Sequence, residues 1–350
     1  MATLDLQPSL TAYRAPAWLP GGHLQTIWAA TRAQCHAGPA PSFRRERWTT
    51  PDRDFIDVDW LKRSFDAPPA TRHLVLFHGL EGNSASAYAQ AFGSLALQQG
   101  WDYSVPHFRG CSGELNLAPR AYHSGDFEEV GCILHRLRQS SVAPLWVVGI
   151  SMGGNALLRW AQEAGQSAAA SAACVAAVCS PIDLTAAGHA IDHGFNWWLY
   201  ARMFLASMKP KALRKWQQHP GLFDRERLAA ARTLYEFDNV FTAPLHGYAD
   251  TPDYWARASA RPHLACIRIP ALVLNARNDP FVPVVSLPMT SSPSASCLPQ
   301  TSAAWGPNLG RFVTLWQPAQ GGHVGFPQGR FPGQVLTMPQ AVLAWMSRQT

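Results

Sequence analysis

A serine lies between two glycines in the pentapeptide GISMG, residues 149–153. The apolar run LWVV precedes this pentapeptide, and the helix-forming run NALLRWAQE follows it. A tight turn from a strand into a helix exposes the hydroxyl of a serine, and it requires small residues two positions before and after that serine. Because the flanking runs supply the strand and the helix, we expect Ser151 to be a catalytic nucleophile.

A serine hydroxyl needs a general base within hydrogen-bond reach and a third group that orients the base. Asp279 follows the apolar run ALVLNA, and His323 follows the run FVTLW. Both residues would lie at C-terminal ends of strands, where a parallel sheet flanked by helices places its catalytic groups. The order serine, acid, histidine along the chain is the order expected when the serine lies on such a strand-to-helix turn. We expect His323 to be the general base and Asp279 to orient it. Asn278 and Asp183 are alternatives for the acid.

Two backbone amides are expected to bind the negative charge that develops on a carbonyl oxygen during acyl transfer. One is the amide of Met152, which directly follows the serine. The other belongs to the turn in FHGLEGNS, where Leu80 follows His78 and Gly79. We expect His78 itself to be structural. This chemistry requires no metal ion and no organic cofactor.

Apolar runs and helix-forming runs alternate along much of the chain, which indicates an α/β fold with a mostly parallel central sheet flanked by helices. Two short strands are expected within residues 45–62. Further strands are predicted at 73–77, 101–106, 145–150, 175–179, 271–275 and 312–316. Helices are predicted at 85–99, 126–139, 152–163 and 339–348.

The alternation stops after Pro181 and resumes near Pro262, and the residues between are rich in aromatic side chains and helix formers. We expect a helical lid at 183–261, inserted into an α/β-hydrolase core formed by 70–182 and 262–350. Residues 1–69 would form an N-terminal extension and the first strands. The Ser- and Pro-rich stretch 286–308 is predicted to be a long surface loop.

The composition is that of a packed globular protein, since 47% of the 350 residues are hydrophobic and 15% are charged. The net charge of +6 comes from 29 basic and 23 acidic residues that are spread along the chain, with no block of like charge. We therefore expect no nucleic-acid partner. The densest basic stretch, residues 209–215, is predicted to be a solvated helix face.

The seven cysteines form no CxxC pair and show no zinc-site spacing with histidines, so a reduced compartment is favoured. The N-terminus lacks a basic start followed by a long apolar run, and no segment reaches the ~18 to 20 apolar residues that cross a bilayer. We expect a soluble, cytoplasmic protein with no transmembrane anchor.

Several blocks of the chain resemble the YheT-like α/β-hydrolases, a family of predicted esterases. The blocks are PAWLPGGHLQTIW, HGLEGNSASAYA, FRGCSGELN, YHSGDFEEV, GISMGGNALL, FDNVFTAPLHGY with DYW, and GGHVGF, and they occur in the family's order. The resemblance implies a triad of Ser151, Asp279 and His323. The acid block RNDPF has Asn278 where the family usually has a second Asp. The resemblance assigns no role to four further polar residues, His23, Arg109, His123 and His246.

The expected reaction is hydrolysis of a carboxylic ester with a short- to medium-chain acyl group, through an acyl-enzyme on Ser151. The partner would be a small-molecule ester. An acyltransferase that passes the acyl group to an alcohol would use the same triad, and the sequence does not separate the two. A non-catalytic binding protein on a hydrolase scaffold is a weaker alternative, because no triad residue is missing.

Overall fold

The computed structural model describes residues 9–36, 38–288 and 309–349. In these residues, eight strands form one sheet in the order β1-β2-β4-β3-β5-β6-β7-β8. The strands are β1 (Phe43–Thr49), β2 (Phe55–Leu61), β3 (His73–Phe77), β4 (Asp102–Pro106), β5 (Leu145–Ile150), β6 (Cys174–Val178), β7 (Ala271–Leu274) and β8 (Val313–Trp316).

The sheet is parallel from β4 through β8, and its first two strands run antiparallel to their neighbours. The central strands β3, β5, β6 and β7 are buried along their whole length. Strands covered on both faces need apolar side chains at every position, which is why they read as continuous apolar runs in the sequence. The predicted fold class is confirmed.

Thirteen α-helices lie in the described residues. They are α1 (Gly21–Thr31), α2 (Ala87–Gln98), α3 (Phe127–Ser140), α4 (Met152–Ala164), α5 (Ala168–Ser171), α6 (Leu184–Ile191), α7 (Gly194–Asn196), α8 (Arg202–Gln218), α9 (Arg225–Ala230), α10 (Leu234–Phe237), α11 (Ala243–Leu245), α12 (Thr251–Ala258) and α13 (Thr337–Met346). Two π-helical segments, Trp197–Ala201 and Asp238–Thr242, join α7 to α8 and α10 to α11. None of the helices in this part of the chain is long and apolar enough to span a bilayer.

Helices cover both faces of the sheet. On one face α3 and α4 bury Ile133 and Leu157, and on the other α2 and α13 bury Phe92 and Val342. These two apolar layers hold the sheet between them. The strands of the sheet and the four helices α2, α3, α4 and α13 occupy nearly the predicted ranges, whereas α1 was not predicted.

The helices α6 to α12 lie between β6 and β7, and we refer to residues 183–261 as the insertion. Part of the insertion has an apolar cluster of its own, which includes Leu205, Phe223, Leu228 and Phe241. The predicted loop 286–308 lies outside the described residues except for its first three positions.

Candidate active site

Ser151 occupies the sharp turn between β5 and α4. Its backbone is left-handed, with φ of 52° and ψ of −121°, which is strained for a residue with a side chain. The neighbouring glycines are required by close contacts. A Cβ on Gly149 would lie 2.5 Å from the Cα of Gly154, and one on Gly153 would lie 2.3 Å from the carbonyl oxygen of His78. The sequence GISMG therefore forms the predicted turn.

The three residues predicted as a triad are joined by hydrogen bonds. The Nε2 atom of His323 lies 2.9 Å from Ser151 Oγ, and its Nδ1 atom lies 2.9 Å from Asp279 Oδ2. An imidazole with its proton on Nδ1 donates to Asp279, and Nε2 is then free to accept from the serine hydroxyl. This is the arrangement that activates a serine as a nucleophile.

Asp279 is fixed by the backbone that follows it. Its Oδ1 atom accepts hydrogen bonds from the amides of Phe281 at 2.8 Å and Val282 at 3.3 Å. The carboxylate is buried, and the ring of Phe281 lies 4.3 Å from the imidazole of His323. A buried carboxylate with one oxygen held by amides presents its other oxygen to the histidine in one orientation.

Cys179 is a neighbour of the acid and the base that we did not predict. It follows β6, is fully buried, and accepts a hydrogen bond from the amide of Val324 on its Sγ atom. Burial, and next the charge of Asp279, raises the pKa of the Cys179 thiol well above its usual range. Cys179, Asp279 and His323 offer ligand atoms that lie within 4.8 Å of one another. Within the described residues, they form the one group of three or more His, Cys, Asp or Glu side chains close enough to bind a metal ion.

The two predicted amide donors belong to segments that border Ser151. Met152 is the first residue of α4, where a helix leaves its amides without helical partners. The turn after β3 also lies close, since a Cβ on Gly79 would be 3.2 Å from the Cβ of Ser151. Leu80 follows Gly79 and lines the same pocket as the serine.

The serine and histidine open into a pocket of about 400 Å³. One wall comes from α1, a second from the insertion, and a third from the loops that carry the triad. Its apolar lining includes Ile27, Ala30, Leu199, Met203, Phe204, Phe281 and Val324. A pocket of this size and apolarity suits an organic acyl group held beside the nucleophile.

Helix α1, which the sequence pattern did not predict, contacts the loops that carry Asp279 and His323. Thr26 Oγ1 accepts a hydrogen bond of 2.8 Å from the amide of His323 and donates to the carbonyl of Gly22. A Cβ on Gly22 would lie 1.8 Å from the carbonyl oxygen of Asn278, so the start of the helix is pressed against the acid loop. The available signal was the block PAWLPGGHLQTIW, to which no role had been assigned.

The structure also places the two alternatives for the acid. Asp183 caps α6 through the amide of Ala186 and pairs with Arg261, away from the histidine. Asn278 directs its side chain to the amide of Gly322. Asp279 is therefore the carboxyl group that contacts His323.

The four polar residues without an assigned role lie in three different environments. His23 Nδ1 is 3.2 Å from the hydroxyl of Tyr200, at the side of the pocket. Arg109 is buried and forms ion pairs with three acidic residues, Asp52, Asp54 and Glu129. The ring centroids of His123 and His246 lie 4.2 Å apart, with the ring planes tilted by 40°, where the core meets the insertion.

The comparisons with known proteins identify the family. The family described as "alpha/beta hydrolase fold" matches residues 72–329. The chain belongs to the α/β-hydrolase family. A protein of Escherichia coli (strain K12) named "Putative esterase YheT" is 35% identical, and the match covers 86% of this chain and 84% of that relative. The resemblance to YheT-like proteins is thereby confirmed.

A second relative of this α/β hydrolase is Phospholipase ABHD3 of Mus musculus, which is 29% identical over 86% of this chain and 70% of the relative. Among solved structures, Pyrococcus horikoshii acylaminoacyl peptidase aligns with a TM-score of 0.51 and 12% identity, over 89% of this chain and 41% of the peptidase. At that identity the structural match supports the fold alone.

Proposed function

We propose that this α/β hydrolase cleaves carboxylic esters of short- to medium-chain acyl groups, with Ser151 as nucleophile, His323 as general base and Asp279 as the orienting carboxylate. The observation that carries the proposal is the hydrogen-bonded chain from Ser151 through His323 to Asp279, built at a strained turn that opens into an apolar pocket. The names of the relatives, an esterase and a phospholipase, support ester hydrolysis.

In the first half of the reaction, Ser151 Oγ attacks the carbonyl carbon of the ester while His323 Nε2 takes the hydroxyl proton. The amides of Met152 and Leu80 bind the resulting oxyanion, and each such donor stabilises the transition state by about 3 kcal/mol. His323 then gives its proton to the leaving alkoxide, so that an alcohol departs and the acyl group stays on the serine.

In the second half, water replaces the alcohol. His323 takes a proton from the water as it attacks the acyl-enzyme and returns that proton to Ser151 Oγ when the carboxylic acid leaves. Asp279 keeps its charge throughout and stabilises the imidazolium that forms twice.

The acyl group would occupy the apolar side of the pocket, against Leu199, Met203 and Phe204 of the insertion. Burial of methylene groups there would favour longer chains until the available length is filled, at about 0.8 kcal/mol for each group. The insertion, rather than the triad, would then set the preference for chain length.

Hydrolysis of p-nitrophenyl esters from acetate to decanoate tests the proposal. We expect the purified protein to turn over at least one chain length, with an optimum in the short to medium range. Turnover of none of these esters by folded protein would contradict the proposed substrate class. A higher kcat/KM for the palmitate ester, measured in addition, than for decanoate would contradict the chain-length assignment alone.

A further inference from the structure

Two carboxamide side chains link the loop that carries Asp279 to the loop that carries His323. Gln25 of α1 is fully buried, and its Oε1 atom accepts hydrogen bonds of 3.0 Å from Asn278 Nδ2 and from the amide of Gly321. Asn278 Oδ1 accepts a hydrogen bond of 3.0 Å from the amide of Gly322. The linked atoms therefore belong to the residue directly before Asp279 and to the two residues directly before His323.

The direction of each hydrogen bond is fixed by backbone groups. A peptide N–H can only donate and a peptide carbonyl can only accept. The amide of Gly321 thus requires the oxygen of Gln25, whose Nε2 donates to the carbonyl of Leu19 at 2.9 Å. The amide of Gly322 likewise requires the oxygen of Asn278. The nitrogen of Asn278 must then face the oxygen of Gln25, as observed.

The three segments are in close backbone contact, so the side chains have little room to rearrange. A Cβ on Gly322 would lie 2.7 Å from the carbonyl oxygen of Gly22 and 2.8 Å from Thr26 Oγ1. A Cβ on Gly325 would lie 2.6 Å from the carbonyl oxygen of Gln25. Loss of either carboxamide would therefore shift the loops that carry Asp279 and His323, because nearby side chains cannot rearrange to compensate.

We propose that Gln25 and Asn278 are positioning residues that hold Asp279 and His323 in register, through the oxygens that they offer to the amides of Gly321 and Gly322. The proposal rests on the catalytic roles proposed above. The described lining of the pocket includes neither Gln25 nor Asn278. Their loss should therefore lower kcat through the triad and leave KM close to the wild-type value.

The first test replaces Gln25 and Asn278, each by Ala. Gln25→Ala removes the acceptor shared by the two loops. Asn278→Ala removes the acceptor for the amide of Gly322 together with the donor to Gln25. We expect kcat to fall on the order of 10²-fold in each variant, because small misplacements of catalytic groups have effects of this size. An unchanged kcat in either variant would overturn the proposal.

Gln162 provides a matched control. It is a buried carboxamide on α4 whose Nε2 donates to the carbonyl of Ala260 and whose Oε1 accepts from Arg159. Gln162→Ala should lower thermal stability and leave kcat near the wild-type value. If Gln25→Ala and Gln162→Ala have the same kcat at the same loss of Tm, Gln25 contributes to stability only and the positioning role is wrong.

An NMR measurement needs no substrate and separates this proposal from the proposed reaction. The proton that His323 Nδ1 donates to Asp279 should resonate far downfield in the wild type and in Gln162→Ala. We expect that resonance to shift or vanish in Gln25→Ala. If it persists unchanged, the positioning role fails even when the enzyme is active; if it moves while the wild type cleaves no ester, the proposed substrate class fails and the positioning role stands.

Discussion

The catalytic edge of the sheet and the insertion differ in what they bury. The strands that lead to Ser151 and Asp279 bury apolar side chains along their whole length, and Asp279 is held beyond the end of its strand by two backbone amides. Both regions bury ionisable groups, but two of those in the insertion, Lys215 and Asp238, lie outside the chain of hydrogen bonds from Ser151 to Asp279, and burial is the largest cause of their pKa shifts. It lowers the pKa of Lys215 to about 8 and raises that of Asp238 to about 6.

This difference suggests a division of labour. A densely packed sheet fixes atoms to within the tolerance that catalysis needs. A region that buries ionisable groups loses stability when their protonation changes. The insertion is such a region, and it also forms one wall of the pocket. We therefore expect changes at the sheet edge to alter kcat and changes in the insertion to alter substrate preference and stability.

The largest effect at the sheet edge is expected from Asp279→Asn. An amide at this position can hold the imidazole in the wrong tautomer and does not stabilise the imidazolium, so kcat should fall about 10⁴-fold with little change in KM. Steady-state kinetics on the best p-nitrophenyl ester would measure both kcat and KM. Asp183→Asn, which keeps a good helix cap on α6, should stay near the wild type. Equal losses in the two variants would contradict the role of Asp279.

A smaller effect at the sheet edge is expected from Thr26→Val. The variant leaves the amide of His323 without its acceptor, and an unpaired buried amide costs about 1–3 kcal/mol. If the histidine loop relaxes to recover this energy, kcat falls about 10- to 100-fold. Thr26→Ser retains the hydroxyl and should recover most of the activity. Failure of serine to rescue would mean that the methyl group, not the hydrogen bond, is what matters.

In the insertion, Met203→Trp should change substrate preference more than rate. Met203 is 54% exposed and lines the pocket beside Phe204, so a larger ring there would shorten the space for the acyl chain. We expect kcat/KM for decanoate to fall about tenfold relative to acetate, the size typical of one or two methylene groups. An equal loss on both esters would indicate that the insertion supports the triad instead.

The smallest expected effect concerns acid stability. Burial, and next the neighbouring His123, lowers the pKa of His246 to about 3. The unfolded chain therefore binds a proton below about pH 6.5 that the folded chain does not, so this contribution to stability is present above pH 6.5 and is lost as pH falls toward 3. His246→Leu should make the free energy of unfolding fall less steeply over that range.

Denaturant unfolding at pH 7 and pH 5 would test the His246 prediction. Within the described residues, His246 Nε2 has no hydrogen-bond partner, so the leucine variant should lose little stability at pH 7. The exposed His135 on α3 serves as the control, because His135→Leu should leave the pH slope unchanged. Parallel slopes for wild type and His246→Leu would contradict the prediction.

Apolar pattern predicted the sheet and its flanking helices but failed for α1. The residues that α1 buries are Gln25, Thr26 and Ala29, so its inward face has no apolar stripe to detect. Its contacts with the loops that carry Asp279 and His323 are hydrogen bonds between residues about 250 to 300 positions apart. The pattern of a single sequence does not predict such long-range pairs.

The contact among Ser151, His323 and Asp279 could be anticipated, because the parallel strands bring their C-terminal ends to one edge and each of these residues follows a strand there. The prediction that residues 209–215 form a solvated helix face is wrong for Lys215. Lys215 is buried and donates to the carbonyls of Asn116 and Ala118, because the insertion packs on a loop of the core. Charge density alone gave no sign of that contact.

Covalent labelling of Ser151 tests the central claim most directly. A fluorophosphonate reacts with a serine that its neighbours activate, and the adduct can be located by mass spectrometry of the digested protein. We predict one phosphonate on the peptide that contains Ser151, rapid labelling of the wild type, slow labelling of Asp279→Asn and none of Ser151→Ala at that peptide. Folded wild-type protein that reacts no faster than Ser151→Ala, or that reacts at another serine, would contradict the assignment of Ser151 as the nucleophile.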